Sequence, residues 1–165
     1  MAAATLGPTP ASALLVEESW IRQILSGAKT WELRGCRTAK RERIALAYKG
    51  FLFGEVDIVD CLAVGRVDAG GQLLAVEGHE QHHLLLPHNM TKHNVSRERL
   101  ASFRWRRWYA WVLSDPVSYE VPKAYRHPTG AQQFVRLDRD KTLSADSSET
   151  AAASAACKKR KRSPH

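Results

Sequence analysis

Lys29, Glu32 and Arg34 stand within six residues of one another in the run Gly27-Ala28-Lys29-Thr30-Trp31-Glu32-Leu33-Arg34. Such a trio cross-pairs readily and also presents donors and one acceptor to a polar ligand. Arginine offers a planar fork that matches a phosphate or a base edge, and lysine a movable point charge. Glutamate orients the arginine or accepts from an exocyclic amine. A salt-bridged strand edge is the competing reading, since most charged clusters are solvated surface.

A second chemistry-bearing stretch interleaves Arg97, Arg99, Arg104, Arg106 and Arg107 with Phe103, Trp105, Trp108, Tyr109 and Trp111. Nucleic-acid sites use this mixture, because arginine neutralises phosphate while flat rings stack on bases. Trp111, between Ala110 and Val112, reads as core. Arg104, Trp105 and Arg107 are the candidates for contact, and with Arg41 and Arg43 of the basic connection Arg37 to Arg43 they would form one basic rim.

His79-Glu80-Gln81-His82-His83 matches H-E-x-x-H, the pattern in which two histidines one helical turn apart hold zinc. It needs a well-packed helix, whereas here it follows Gly78 and stops before Pro87. A solvated surface is expected, with neither metal nor cofactor. Cys36, Cys61 and Cys157 are widely spaced and form no C-x-x-C. That argues against a disulfide framework and suits a reducing compartment.

The elements that must position these residues follow from periodicity. Ala13 to Val16 is an apolar run fit for a strand. Glu17 to Ser26 places Trp20, Ile21, Ile24 and Leu25 on one helical face, with acids in its first turn and Gly27 as its stop. Lys29 to Arg34 alternates as a strand, Trp31 and Leu33 inward and the charges partly outward. Glu32 and Arg34 share a face, and Lys29 joins them only if the strand begins with a bend. Ile44 to Tyr48 and Gly54 to Val67 read as strands, and Ala69-Gly70-Gly71 as a turn. Gln72 to Leu86 reads as an irregular helical excursion ended by Pro87, and Val95 to Phe103 as a short helix. Trp108 to Val121 is β-rich with a break or bulge at Ser114-Asp115-Pro116, and Phe134 to Leu137 closes the set. The expectation is an α+β fold with five or six strands, one early amphipathic helix and short peripheral helices.

Residues 1–12 read as a disordered leader, 13–140 as the folded domain, and 141–165 as a disordered tail. The chain's formal charge is +8, but residues 1–140 hold 19 Lys and Arg against 15 Asp and Glu, so half the excess lies in the tail. There Lys158, Lys159, Arg160, Lys161 and Arg162 form a run suited to an import receptor and hence to nuclear localisation, with a cytoplasmic pool allowed. The N-terminus has neither the basic region nor the apolar core of a secretory signal. No apolar stretch approaches the roughly 20 residues of a membrane-spanning helix.

The Gly27–Arg34 run resembles the G-x-K-x-x-E-x-R signature of ASCH domains, within the PUA-like superfamily. The helix carrying Trp20 ahead of it and the strand Arg43 to Tyr48 behind it fit that family's order. Gly54 to Cys61 looks like its long central strand, and Trp111-Val112-Leu113 with Asp115-Pro116 like its late strand. The resemblance spans roughly Leu14 to Leu137. It implies a PUA-like β-barrel whose signature residues border a cleft between the early helix and the sheet. It also implies RNA or DNA binding, a role in RNA metabolism or transcription coactivation, or a nucleoside ligand. Some small bacterial members hydrolyse the amide of N-acetylated cytidine, which would make Lys29 catalytic. In those enzymes, however, a threonine stands where this chain has Glu32, and the later acid has only Glu77 or Glu80 as candidates. The leading expectation is a non-enzymatic nucleic-acid-binding domain, with amidohydrolase as the alternative.

Overall fold

A computed structural model describes residues 8–137. Its elements are β1 (Ser12–Leu15), α1 (Glu18–Leu25), β2 (Trp31–Arg34), β3 (Arg43–Tyr48), β4 (Phe51–Val67) and β5 (Leu73–Leu74). A single 3₁₀ turn at Glu80–His82 follows, then α2 (Pro87–His93), α3 (Arg97–Ser102), β6 (Arg107–Ala124) and β7 (Phe134–Arg136). The basic run Lys158 to Arg162 lies outside the described residues.

The α+β class is as the pattern implies, but there are seven strands, in one mixed sheet ordered β2-β6-β4-β3-β1-β7 with β5 on the far end of β4. The long strands β4 and β6 pair antiparallel over most of their length, with four register shifts. One shift lies between Glu55 and Asp57, opposite Ser114 to Val117, where Asp115 takes φ 49° ahead of Pro116. Such bulges bend a sheet and tighten its twist. Lys49 and Gly50, at φ 45° and 83°, make the two-residue turn joining β3 to β4, a left-handed pair that asks for glycine.

The curled sheet does not close into the expected barrel. Its end strands β2 and β7 have no shared ladder among the described residues, and side chains bridge the seam instead. Arg34 Nη2 donates to the Leu15 carbonyl of β1 at 2.9 Å, and Cys36 meets Gln133 beside β7. Trp111 stacks on Phe134, rings 5.4 Å apart and 7° from parallel.

Three apolar clusters fill the fold. Leu14, Ile21, Ile24, Ile44, Leu46, Val56, Ile58 and Trp111 pack the sheet face beneath α1. Trp31, Leu33, Val64, Leu84, Leu100 and Trp108 pack the opposite face, roofed by α2, α3 and the 3₁₀ segment. A third cluster joins Ala45, Ala47, Leu52, Tyr119 and Val135. Strand β2 is therefore covered on both faces. Alternation placed Trp31 and Leu33 opposite Glu32 and Arg34 correctly, but the charged face is interior too, beside Trp111 and Tyr109 in register.

Two further expectations are corrected. The Gln72–Leu86 stretch forms a two-residue strand and one 3₁₀ turn rather than a helical excursion. Pro87 starts α2 instead of ending a helix, at a first-turn position where its missing N–H costs nothing.

Candidate functional site

The chain leaves α1 through Gly27 and bends before β2 begins. Lys29 N–H donates to the Gln23 carbonyl and Thr30 N–H to that of Lys92, at 3.0 and 2.8 Å. Outside the strand's alternation, Lys29 turns toward the Glu32 face. Its Nζ donates to the His93 carbonyl at 2.7 Å, lies 3.5 Å from Glu32 Oε2, and sits 4.8 Å from the centre of the Trp20 ring. Glu32 Oε1 in turn pairs with Arg34 Nη2 at 3.0 Å, and the Arg34 guanidinium lies 5.7 Å from the centre of the Trp111 ring. The side chains of Lys29, Glu32 and Arg34 are only 1%, 9% and 16% exposed. The cluster is largely buried and internally paired, and Arg34 Nε is buried without a partner among the described residues.

Its electrostatics follow from that burial. Desolvation pushes the Lys29 ammonium below its ordinary range, outweighing the nearby Glu32 carboxylate, while Arg34 adds a smaller push the same way. His93, fully buried at the end of α2, accepts the Val95 N–H at Nδ1 (3.0 Å), so Nε2 carries the proton donated to the Leu84 carbonyl at 2.9 Å. Desolvation holds its pKa below the usual histidine value. Thr30 is exposed, Glu77 and Glu80 lie on the exposed loop after β5, and Glu80 accepts the Gly78 N–H at 3.0 Å.

Arg41 and Arg43 are committed elsewhere. Arg41 pairs with Asp60 at 3.2 Å. Arg43 Nε reaches the buried Glu55 at 2.8 Å and its Nη1 reaches Asp57 at 3.1 Å; Tyr119 donates to the other Glu55 oxygen at 2.7 Å. Burial and that bond push the Tyr119 phenol pKa well up. Arg43 lies opposite Asp57 and Arg107 opposite Arg66, roughly 30 Å apart along β4 at the usual rise per residue. The basic rim expected from Arg41 through Arg107 is therefore not one surface.

At the far end of β4, a cleft of about 510 Å³ opens between the β4–β5 turn, α3 and the segment entering β6. Leu73, Leu85, Leu100 and Trp108 line it, and Arg97, Arg104 and Arg106 edge it. Among the described residues none of these three arginines, nor Arg107, makes an ion pair with a carboxylate. Asp68 also lines the cleft, but its Oδ1 accepts the Gln72 N–H at 2.8 Å and so holds the turn. Arg66 and Arg107 stand directly across the β4–β6 ladder, an unfavourable like-charge pair. The aromatic residues are partly spent on structure. A Cβ on Gly35 would lie 2.6 Å from the Trp105 Cγ and Cδ1 atoms, so Trp105 rests directly on that glycine. Trp105 also stacks on Phe103 at 4.4 Å, and Phe103 carries the Arg99 guanidinium at 5.3 Å. The indole Nε1–H of Trp108 is buried and has no acceptor among the described residues.

No family model and no curated protein matches the chain. Solved structures do. A tyrosine-to-phenylalanine mutant of ZmASCH from Zymomonas mobilis is similar at TM-score 0.53 and 15% identity, over 79% of this chain and 92% of that one. A serine-to-alanine mutant of the same protein gives TM-score 0.52 and 14% identity, over 79% and 90%. The fold is ASCH-like. At so low an identity the likeness carries the architecture and no activity.

Within this ASCH-like fold the histidine motif lies on the 3₁₀ turn, where residues four apart do not stack as on an α-helix. The His79 and His82 rings approach to 6.1 Å, while His83 Nε2 is buried without a partner among the described residues. Among the described residues, no group of three or more His, Cys, Asp or Glu converges as for a metal ion. Among them, too, no helix is long and apolar enough to cross a membrane. The sequence places Arg97 and Arg106 in the arginine-aromatic stretch but singles out only Arg104, Trp105 and Arg107 for contact, and it marks Ala69-Gly70-Gly71 only as a turn. It also gives the buried His93 no part in the Lys29 cluster. Nothing in local sequence marks its carbonyl as the partner of Lys29, a contact spanning 64 residues.

Proposed function

We propose that this ASCH-like domain binds nucleic acid, RNA in the first instance, through the arginine-edged cleft. The observation that carries the reading is the set Arg97, Arg104, Arg106 and Arg107, which gather at one end of the β4–β6 pair with no carboxylate partner among the described residues. Guanidinium groups in excess over the single Asp68 carboxylate, around an apolar recess, suit a polyanion that also carries flat apolar groups. The Lys29–Glu32–Arg34 network belongs in this reading to the framework. Its expected part in ligand contact passes, on the same reading, to the cleft, because Lys29, Glu32 and Arg34 pair mainly with one another.

The test is fluorescence anisotropy of labelled RNA against salt. The double variant Arg104→Ala with Arg106→Ala should lower the slope of log K against log salt by roughly 1 for each phosphate no longer neutralised. Lys29→Met, if still folded, should leave the slope alone. Binding that ignores both salt and the arginines would refute the reading. The Lys158–Arg162 run would carry the protein to the nucleus, and unchanged nuclear accumulation of a tagged chain lacking residues 158–165 would refute that part.

A second reading, hydrolysis of an acylated cytidine, has one observation in its favour: desolvation of Lys29 favours the neutral, nucleophilic amine. It requires turnover of N-acetylated cytidine by the purified protein that disappears in Lys29→Ala. Absence of turnover beside an active bacterial relative would dismiss it.

A further inference from the structure

Resting on the nucleic-acid reading above, we propose that the cleft between the β4–β5 turn and α3 takes one unpaired base of a single strand, with the flanking phosphates on Arg97, Arg104 and Arg106. The cleft is layered for such a group. Its floor is apolar, from Leu73, Leu85, Leu100 and Trp108, and its charge sits at the edge. Its volume of about 510 Å³ lies within the range of sites that bury a small flat ligand. A duplex cannot use that recess: its bases are stacked and paired, so no base face is free to enter. Single-stranded segments can turn a base out and bury it, which is how proteins obtain most sequence-dependent contact with RNA. The arginines alone would take either form, so the apolar floor is what discriminates.

The Trp108 ring lines the floor, while its Nε1–H is buried and without an acceptor among the described residues. The stacking surface usually supplied by exposed rings is limited here, since Trp105 lies against Gly35 and Phe103. The base is accordingly held by insertion into the recess and not by laying it on an open aromatic platform.

Ala101 gives the means to test this. It lies on the exposed side of α3 and lines the cleft, so Ala101→Phe fills the recess without removing any charge. Anisotropy would compare a 12-nucleotide RNA single strand with a fully paired RNA duplex of the same length, at equal salt. We expect at least about tenfold tighter binding of the single strand, and a fall to the duplex value in Ala101→Phe with the melting temperature kept. The smaller Ala101→Met should show the same loss in part, and it serves as the test if the phenylalanine variant does not fold. Equal affinity for both RNAs would overturn the inference and leave the arginine-based reading standing. A single-strand preference that survives both fillings would also overturn it, by placing the base elsewhere. Absence of arginine-dependent binding to both RNAs would overturn the reading and the inference together.

Discussion

Replacing Glu32 by glutamine should destabilise the protein more than replacing the buried Lys29 beside it. Glu32 is the lone carboxylate between two cations, 3.5 Å from Lys29 Nζ and 3.0 Å from Arg34 Nη2. At an effective dielectric of about 20, those distances give attractions of roughly 5 kcal/mol each. Desolvation of three charges, at several kcal/mol apiece, offsets most of that sum, so the intact network contributes little net stability. Removing the anion alone changes the balance. Lys29 and Arg34 then remain in the interior with no counter-charge, and the glutamine amide turns two N–H donors toward them. Breaking a buried pair in this way costs about 3–5 kcal/mol. Lys29→Met leaves the Glu32–Arg34 pair whole and fills a similar volume. It forfeits the Glu32 attraction and the bond to the His93 carbonyl but also removes the cost of burying an ammonium, so its net loss is about 1 kcal/mol. Against a total stability of about 5–15 kcal/mol, the first variant should be strongly weakened and the second mildly so.

Urea unfolding followed by tryptophan fluorescence reads both, and the double variant completes the cycle. With Lys29 gone, one of the two stranded cations is removed, so Glu32→Gln in the Lys29→Met background should cost less than it does alone. A Glu32→Gln loss below about 1 kcal/mol would refute the argument. So would a Lys29→Met loss as large as that of Glu32→Gln, because either result would mean the charges are solvated in solution.

Three other outcomes follow from the same structure. His93 is buried with its pKa depressed, so below its unfolded value near 6.5 the unfolded chain takes up a proton that the folded one refuses. Its contribution is complete above that pH and is lost as pH falls through the folded pKa; urea midpoints should drop between pH 7 and 5, by up to about 1.4 kcal/mol per pH unit, and more shallowly in His93→Gln. Gly35→Ala should cost about 1–3 kcal/mol by driving a methyl into Trp105, and the cost should shrink in the Trp105→Ala background, as a thermal-melt double-mutant cycle would show. Tyr119→Phe should cost about 1–3 kcal/mol in urea unfolding, because it withdraws a donor from the buried Glu55.

Local pattern makes most elements legible, and its failures have a common physical source. The amphipathic spacing of Ile21 and Ile24 marks α1, and the β-rich runs mark β3, β4 and β6, because each has one strongly apolar face. Alternation in β2 separates Trp31 and Leu33 from Glu32 and Arg34, yet it gives no sign that both faces are covered. That depends on α2 and α3, which pack over the strand from some 60 residues away in sequence. The Gln72–Leu86 segment escapes local pattern because its apolar residues serve as a roof over Val64 and Gly65, a task with no periodicity of its own. The arginines around Trp105 are visible as composition. Their convergence on a cleft requires the turn at Asp68–Gly71, which sequence marks only as a turn.

The run that resembles a family signature and the arginine-edged cleft are therefore different places among the described residues. Gly27 to Arg34, the run that resembles a family signature, also joins an early helix to an edge strand of a sheet that does not close. Gly27 releases the helix, Lys29 ties the bend to α2 through the His93 carbonyl, and Glu32 balances the two cations. Arg34 carries the connection across the seam to Leu15. A ligand would have to displace paired charges to enter there, at a cost of several kcal/mol per ion. At the β5 end of the molecule the balance is reversed. Arg66 faces Arg107 across the ladder, and Arg97, Arg104 and Arg106 edge an apolar recess without a carboxylate partner among the described residues. An anion arriving there relieves repulsion, whereas one arriving at Glu32 would create it. That difference in electrostatic state is the physical reason to look for bound nucleic acid at the cleft.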